Sequence, residues 1–278
     1  MENTPKPLVS VIIPCYNSTE LRRTLESVCK QSYSCWEALC VDDGSDMELF
    51  PVINAINDPR IFYYRLEEHN NANVARNYGI NHSRGEYIAM LDSDDEWLET
   101  HLEDSVSMLL EEKADCIYGS LILRGEPDSI FTARPVGEDE TVIDYLLSTG
   151  YGAQTSTLVM TALSAKDILW DETLKRHQDY DFVIRYSRKY KIFPRIKPTV
   201  IYHFSDTPPI IDFDSCIRFI HTVEDEITDR IYMNYHKHML KLAIASNAQV
   251  NIITHYRKAA THCEYLLSFY DYLMILQP

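Results

Sequence analysis

The chain has no C-x-x-C pair, no surplus of basic residues, and no apolar run approaching the roughly 18 residues that span a bilayer. Each absence excludes something. The seven cysteines (Cys15, Cys29, Cys35, Cys40, Cys116, Cys216, Cys263) are odd in number. Several sit among apolar neighbours, the pattern of reduced core thiols rather than of a disulfide framework. A formal net charge of −16 excludes a nucleic-acid backbone as main partner, because that calls for a basic stripe. The same charge repels anions, so any anionic ligand must be met by local donors or a cation. The opening "MENTPKPLVS" has neither the basic n-region nor the apolar h-region of a signal peptide. The expectation is a cytoplasmic protein, at most peripheral at the inner face of the plasma membrane. Internal repeats and low-complexity tracts are absent too.

What is present is an ordinary globular composition: 278 residues, 45% hydrophobic and 24% charged. "LVSVII" (8–13) is a short β-branched run closed by Pro14. Leu21, Leu25 and Val28 then repeat at helical spacing, with Ser18 or Thr19 as N-cap. "WEALCVDD" (36–43), "RIFYYRL" (60–66) and "GEYIAML" (85–91) read as further strands, with helical segments between them. Apolar strands joined by helical crossovers predict a parallel sheet covered on both faces, with its binding site beyond the strands' carboxyl ends. After residue 114 the pattern is mixed, ending in the helical "QDYDFVIRYSRKY" and the strand "PTVIYHF". Two prolines in "DTPPII" (206–211) mark a boundary. The expected organisation is an α/β domain over 1–206 and a helical region over 207–278, where "CIRFIHTVEDEITDRIYMNY" reads as unbroken amphipathic helix.

The acids are the informative feature. Asp42 and Asp43 close the second strand, and Asp92, Asp94 and Asp95 follow the fourth, so both clusters should open onto the ligand edge. Leu98, Leu102, Val106 and Leu109 have helix spacing, which makes Asp94, Asp95 and Glu96 candidates for N-terminal capping, worth roughly 0.5–2 kcal/mol. One acid would meet that need, and three exceed it.

Five motifs occur in order: "VSVIIPCYN" (9–17), "VDDGS" (41–45), "ARNYGI" (75–80), "GEYIAMLDSDDEW" (85–97) and "HQDYDFVIRY" (177–186). Together they resemble the inverting glycosyltransferase family 2. The resemblance implies the GT-A fold, a Rossmann-like, mostly parallel central sheet flanked by helices, here with a C-terminal helical extension. It implies transfer of a hexose or N-acetylhexosamine from a UDP-sugar to a saccharide acceptor, such as an undecaprenyl-diphosphate-linked O-antigen or capsule intermediate. Departure of a diphosphate adds negative charge that an acidic protein stabilises best with a divalent cation, and hard Mn²⁺ or Mg²⁺ wants one or two carboxylates plus phosphates and water.

By similarity, Asp94 is the direct metal ligand, Asp92 and the intervening Ser93 lie on the nucleotide side, and Asp95 touches the sugar or caps the helix. In "PCYN", Pro14 shapes the turn, Tyr16 stacks on uracil and Asn17 lines the same subsite; the plainer reading of Tyr16 is a ring closing the core. Asp43 matches the acceptor of the uracil imide, with Asp42 structural. Arg76 matches a position facing the nucleotide, against the default of an arginine on a solvated helix face. Asp179 matches the general base that deprotonates the acceptor hydroxyl. Gln178 replaces the family's acceptor-contacting glutamate. Asp181, roughly 200° further round the helix, is the alternative base. His203 matches a late histidine near the diphosphate or metal, against a structural strand-end residue.

Two other classes compete. A haloacid-dehalogenase-type phosphatase also places D-x-D after a strand, but Glu96 and Trp97 follow where its threonine or valine belongs. A non-catalytic sugar-nucleotide-binding scaffold would fit the Gln178 departure, although Asp179 is retained. The C-terminal region, with Tyr232, Tyr235, Tyr265, Tyr270 and Tyr272, reads as packing surface, an acceptor cap, a homodimer interface, or shallow membrane contact through Leu266–Leu276.

Overall fold

The computed structural model describes residues 6–150, 152–204 and 210–261. The expected boundary at 206/207, the Leu266–Leu276 stretch, and Tyr265, Tyr270 and Tyr272 lie outside the described residues.

Four strands, β1 (Val9–Cys15), β2 (Trp36–Asp42), β3 (Ile61–Arg65) and β4 (Tyr87–Met90), form a parallel array in the order β3-β2-β1-β4. The crossovers are α1 (Leu21–Cys29), α2 (Phe50–Ile56) and α3 (Ala72–His82). Alternation along β1 sends Val9, Val11 and Ile13 into the core on one face and Ile12 into that on the other. Both faces are therefore covered, as the apolar runs predict. The strand order reverses at β1, and the crevice between the carboxyl ends of β1 and β4 is where such sheets bind ligands.

β1 continues through Pro14 rather than stopping there. The Ile12 carbonyl accepts from Leu91 N–H on the β4 side, and Pro14, two residues on, faces that side after β4 has ended. The N–H that proline lacks has no partner to lose.

Beyond β4 the sheet becomes mixed: β5 (Glu96–Trp97), β6 (Cys116–Arg124), β7 (Ser129–Phe131), β8 (Val159–Thr161) and β9 (Ile192–His203) complete nine strands. Helices α4 (His101–Glu112), α5 (Val142–Thr149), α6 (Ala162–Ile168) and α7 (Gln178–Ser187) connect them. The expected helix from Trp97 is corrected here: Glu96 and Trp97 pair with Ile201 and Val200 of β9. Thr100 precedes α4, and Glu103 and Asp104 supply the acids of its first turn, so Asp94, Asp95 and Glu96 do not cap it.

The C-terminal region also differs from an unbroken helix. α8 (Phe213–His221) is followed by one 3₁₀ turn at Glu224–Glu226, and α9 (Asp229–Ala245) starts afresh because the Thr228 side chain accepts from Ile231 N–H. α10 (Val250–Ala260) follows. Cys216, Phe219 and Ile220 of α8, Met239 and Leu240 of α9, and Tyr256 of α10 join one core cluster with Tyr145 of α5 and Phe182 of α7. No described helix is long and apolar enough to cross a membrane, and the six described cysteines are unpaired.

Candidate active site

A cavity of about 970 Å³ opens at the crevice between β1 and β4. Its lining includes Pro14, Tyr16, Asn17, Asp43, Arg76, Asp92, Ser93, Asp94, Gln178 and His203. The sheet topology thus brings to one place residues that are separated by as much as 189 positions in sequence.

The acid loop is held by its backbone. Ser18 Oγ donates to Ser93 O at 3.0 Å, Arg23 Nη2 to Asp94 O at 2.7 Å and Thr24 Oγ1 to Asp95 O at 2.8 Å. Ser18, read as an N-cap, is instead one of three side chains at the start of α1 that clamp successive carbonyls. The clamp fixes the loop while leaving its side chains to their own environments.

Those environments differ sharply. Asp95 is 1% exposed and does not line the cavity. Its Oδ2 accepts from Gln154 Nε2 at 2.9 Å and Ser156 Oγ at 2.6 Å, and its Oδ1 from His203 N–H at 3.2 Å. The expected sugar contact or helix cap is therefore replaced by a buried junction joining the acid loop to β9 and to the segment before β8. Burial, with the Asp92 and Asp94 charges, pushes the Asp95 pKa well up. Asp92 accepts from Arg76 Nη2 at 2.7 Å. Asp94 lies open to the cavity, and among the described residues its carboxylate takes only its own backbone N–H. The enclosing walls and the nearby Asp92 charge push its pKa up to about 6.

Arg76 is 3% exposed, which overturns the solvated-face reading. It sits over Trp170 at 4.6 Å and donates to Asn73 Oδ1 at 2.8 Å as well as to Asp92. Its Nε has no partner among the described residues. That Nε is itself buried, so what Arg76 brings to the cavity wall is its charge, held beside the Asp92 carboxylate.

The nucleotide end is more occupied than the sequence implied. Asn17, at φ +46°, accepts from Asp46 N–H at 2.8 Å and donates to Asp46 Oδ2 at 3.2 Å. It lines the cavity while tying the loop after β1 to the loop after β2. Asp43 is buried, accepts from Asn70 N–H at 3.1 and 3.2 Å, and meets His69 Nδ1 at 2.9 Å. Burial raises its pKa despite these donors. Asp42, buried at the end of β2, accepts from Ser45 N–H and from the Tyr63 hydroxyl, the structural role expected of it. Tyr16 remains 43% exposed and stacks on His69, with ring centroids 3.8 Å apart and planes 20° apart. Tyr16 therefore belongs to the cavity rim and does not close the core.

Gln178 begins α7 and Asp179 is its second residue. The helix is preceded by His177 in a left-handed conformation at φ +57°, held by ring contacts to Tyr180, Phe219 and Tyr235. Burial drives the Asp179 pKa up to about 6, with Arg76 opposing and Asp92 reinforcing that shift. Both of these neighbours line the cavity, whereas Asp179 itself is not among its lining residues. The Asp179 carboxylate takes backbone donors, Tyr180 N–H at 3.0 Å and its own N–H. Asp181 points to a different partner, pairing with Arg185 at 2.7 Å, whose guanidinium also donates to Ile168 O and Leu169 O. This commitment removes Asp181 as an alternative base. His203 Nε2 meets Glu96 Oε1 at 2.8 Å, so its ring is oriented by a carboxylate as it enters the cavity.

The lining residues that carried no signal of their own in the sequence include His69, Arg23 and Lys175. None lies in the five motifs, and only the fold brings them to the rim. Among the described residues no three His, Cys, Asp or Glu side chains form a ready-made metal cluster. A divalent ion held by one or two carboxylates, with phosphate and water completing its shell, needs no such cluster. Asp94, with an unclaimed carboxylate of raised pKa, suits that arrangement.

Comparison with known proteins agrees with this geometry. The profile of the family described as Glycosyl transferase family 2 matches residues 10–150. The amylovoran biosynthesis glycosyltransferase AmsB of Erwinia amylovora is 34% identical over 207 residues, which are 70% of this chain and 69% of that protein. The UDP-Glc:alpha-D-GlcNAc-diphosphoundecaprenol beta-1,3-glucosyltransferase WfgD of Escherichia coli is 35% identical over 159 residues, 56% of this chain and 62% of that protein. Among solved structures, S. aureus TarS 1-349 in complex with UDP superposes with a TM-score of 0.68 at 22% identity, covering 90% of this chain and 78% of that one. That likeness shows the fold, and the family profile and AmsB carry the assignment: this chain belongs to glycosyl transferase family 2.

Proposed function

We propose that the protein transfers a hexose or N-acetylhexosamine from a UDP-sugar to a saccharide acceptor, with inversion, and that the acceptor is a lipid-diphosphate-linked intermediate of a surface polysaccharide. The observation that carries this reading is the position of Asp179. Its carboxylate, with a pKa near 6, lies behind the lining residue Gln178 and within electrostatic reach of the Arg76–Asp92 pair on the wall of the cavity that also holds Asp94. WfgD, which by its name uses UDP-Glc and a diphosphoundecaprenol acceptor, supports the choice of donor and acceptor classes.

In this mechanism Tyr16 offers its exposed ring to the uracil, and Asp43 accepts from the base at the neighbouring wall. Arg76, paired with Asp92 at the cavity wall, brings its positive charge to the diphosphate. Asp94, with His203 nearby, would hold Mn²⁺ or Mg²⁺, which would supply charge neutralisation at the leaving diphosphate. Asp179 takes the proton of the acceptor hydroxyl as its oxygen bonds to the anomeric carbon and the bond to the diphosphate breaks, releasing UDP. Gln178, on the cavity wall one residue before the base, orients the acceptor. Ser93 stays a backbone element of the acid loop, clamped by Ser18.

The test is a panel of UDP-sugars assayed with Mn²⁺, with EDTA, and with Asp179→Asn and Asp94→Ala. Transfer that needs the cation and both carboxylates supports the mechanism; turnover that survives EDTA and both substitutions refutes it. Hydrolysis of no UDP-sugar at all, with UDP still bound, would favour the non-catalytic reading.

A further inference from the structure

A chain with 42 acidic and 26 basic residues gathers, on one flank of the cavity, cations that pair with no carboxylate among the described residues. Lys175 lines the cavity itself. Arg176 follows it, with its N–H fixed at 3.0 Å by Ser215 Oγ of α8, and its guanidinium lies within electrostatic reach of Tyr235 and His238 of α9. His238 and Lys241 stand three residues apart on α9 and so share one of its faces. None of Lys175, Arg176, His238 and Lys241 has an ion-pair partner among the described residues. Arg23, Arg76, Arg185 and Arg188, by contrast, are each paired with an acid.

The acids on this flank form no ion pair with the cluster. Asp212 accepts from Ser215 N–H at the N-terminus of α8 at 2.8 Å, and Asp214 stands exposed in its first turn. Burial, Lys241 and Arg176 all lower the His238 pKa, so near neutral pH this ring stands among the cations as a neutral hydrogen-bonding group. Like charges held together without counter-ions cost free energy, which a multiply charged anion would recover.

We propose that this flank binds the diphosphate of the acceptor. The acceptor saccharide would reach Asp179 from the cavity side while its diphosphate lies across Arg176, His238 and Lys241. Lys175 would stand between this diphosphate and that of the donor. The proposal rests on the transferase reading of the cavity, and it gives the C-terminal helices a role: they complete the acceptor site.

The probe is geranyl diphosphate, with its affinity measured by calorimetry for the full chain, for Lys241→Gln, and for Arg176→Gln/Lys241→Gln. Lys241 is exposed, so the single variant tests the charge without disturbing the core. The expected result is weaker binding in the single variant and a loss of roughly tenfold or more in the double variant, as charge-assisted contacts disappear. The affinity for UDP should be unchanged in both. Equal affinity of all three proteins for geranyl diphosphate, or no binding by the unaltered chain, overturns the proposal. A charge-dependent loss seen with phosphatidylglycerol vesicles but not with geranyl diphosphate also overturns it and assigns the flank to a membrane surface. Failure of the unaltered chain to bind UDP would instead sink the donor assignment, while the geranyl diphosphate comparison still decides the acceptor site.

Discussion

The pH dependence of transfer follows from the Asp179 environment. With a pKa of about 6, the carboxylate is ionised in about one tenth of molecules at pH 5 and about nine tenths at pH 7. A base must be ionised to accept a proton, so kcat/KM should rise roughly tenfold over that interval and level off above it. The assay uses saturating Mn²⁺, which displaces the competing proton on Asp94. Asp179→Asn should lose about 10²–10⁴-fold in rate and lose the acid limb with it. The same shift makes a stability prediction of opposite sign. The folded-state pKa lies above the ordinary aspartate value of 3.8, so the fold binds this proton more tightly than the unfolded chain does. The resulting stability is present below pH 3.8 and is lost as pH rises through 6. An asparagine, always neutral, avoids that loss. Asp179→Asn should therefore be more stable than the unaltered protein at pH 8, by up to about 3 kcal/mol, and should show no such advantage near pH 4. Thermal melts at the two pH values measure this. A flat rate profile between pH 5 and 7, or an Asp179→Asn protein that is active with the limb intact, would refute the assignment of the base.

Three further outcomes test the scaffold around the site. Asp95→Ala strands the donors of Gln154, Ser156 and His203 and should cost about 3 kcal/mol or more in urea unfolding; an unchanged midpoint would show that the junction is not structural. Ser215→Ala leaves the N–H groups of Lys175 and Arg176 without their acceptor. It should reduce transfer more than hydrolysis of the UDP-sugar, and Ser215→Thr should restore transfer; equal behaviour of alanine and threonine would exclude a positioning role. Gly79→Ala would bring a Cβ to 2.6 Å from Ile12 Cγ2, because α3 packs tightly on β1. A destabilisation of about 1–3 kcal/mol, with the activity of the folded fraction retained, is the expected result.

The part of the fold written in local pattern was legible. The strands β1 to β4 are continuous apolar runs, and a run of that kind needs cover on both faces whatever follows it. The clustering of acids at their carboxyl ends located the ligand edge for the same reason. Elements set by long-range pairing were misread. Glu96 and Trp97 look like a helix start, yet two residues of β9 more than a hundred positions away recruit them as a strand. The unbroken C-terminal helix failed at Thr228, where a side-chain cap outweighs amphipathic periodicity.

Within the site, the residue types were determined by the sequence and their tasks by the tertiary structure. Asp92, Asp94 and Asp95 are chemically equivalent along the chain. Arg76 from α3 claims the first, the cavity leaves the second free, and Gln154, Ser156 and β9 bury the third. Asp179 and Asp181 are separated in the same way, because Arg185 one turn later takes Asp181. Composition and motif order determined a nucleotide-sugar enzyme with acids at the ends of its strands. Which carboxylate binds, which holds the fold together and which takes a proton was decided by the partners and the water that folding gave to each, since a carboxylate's chemistry is set by what solvates it.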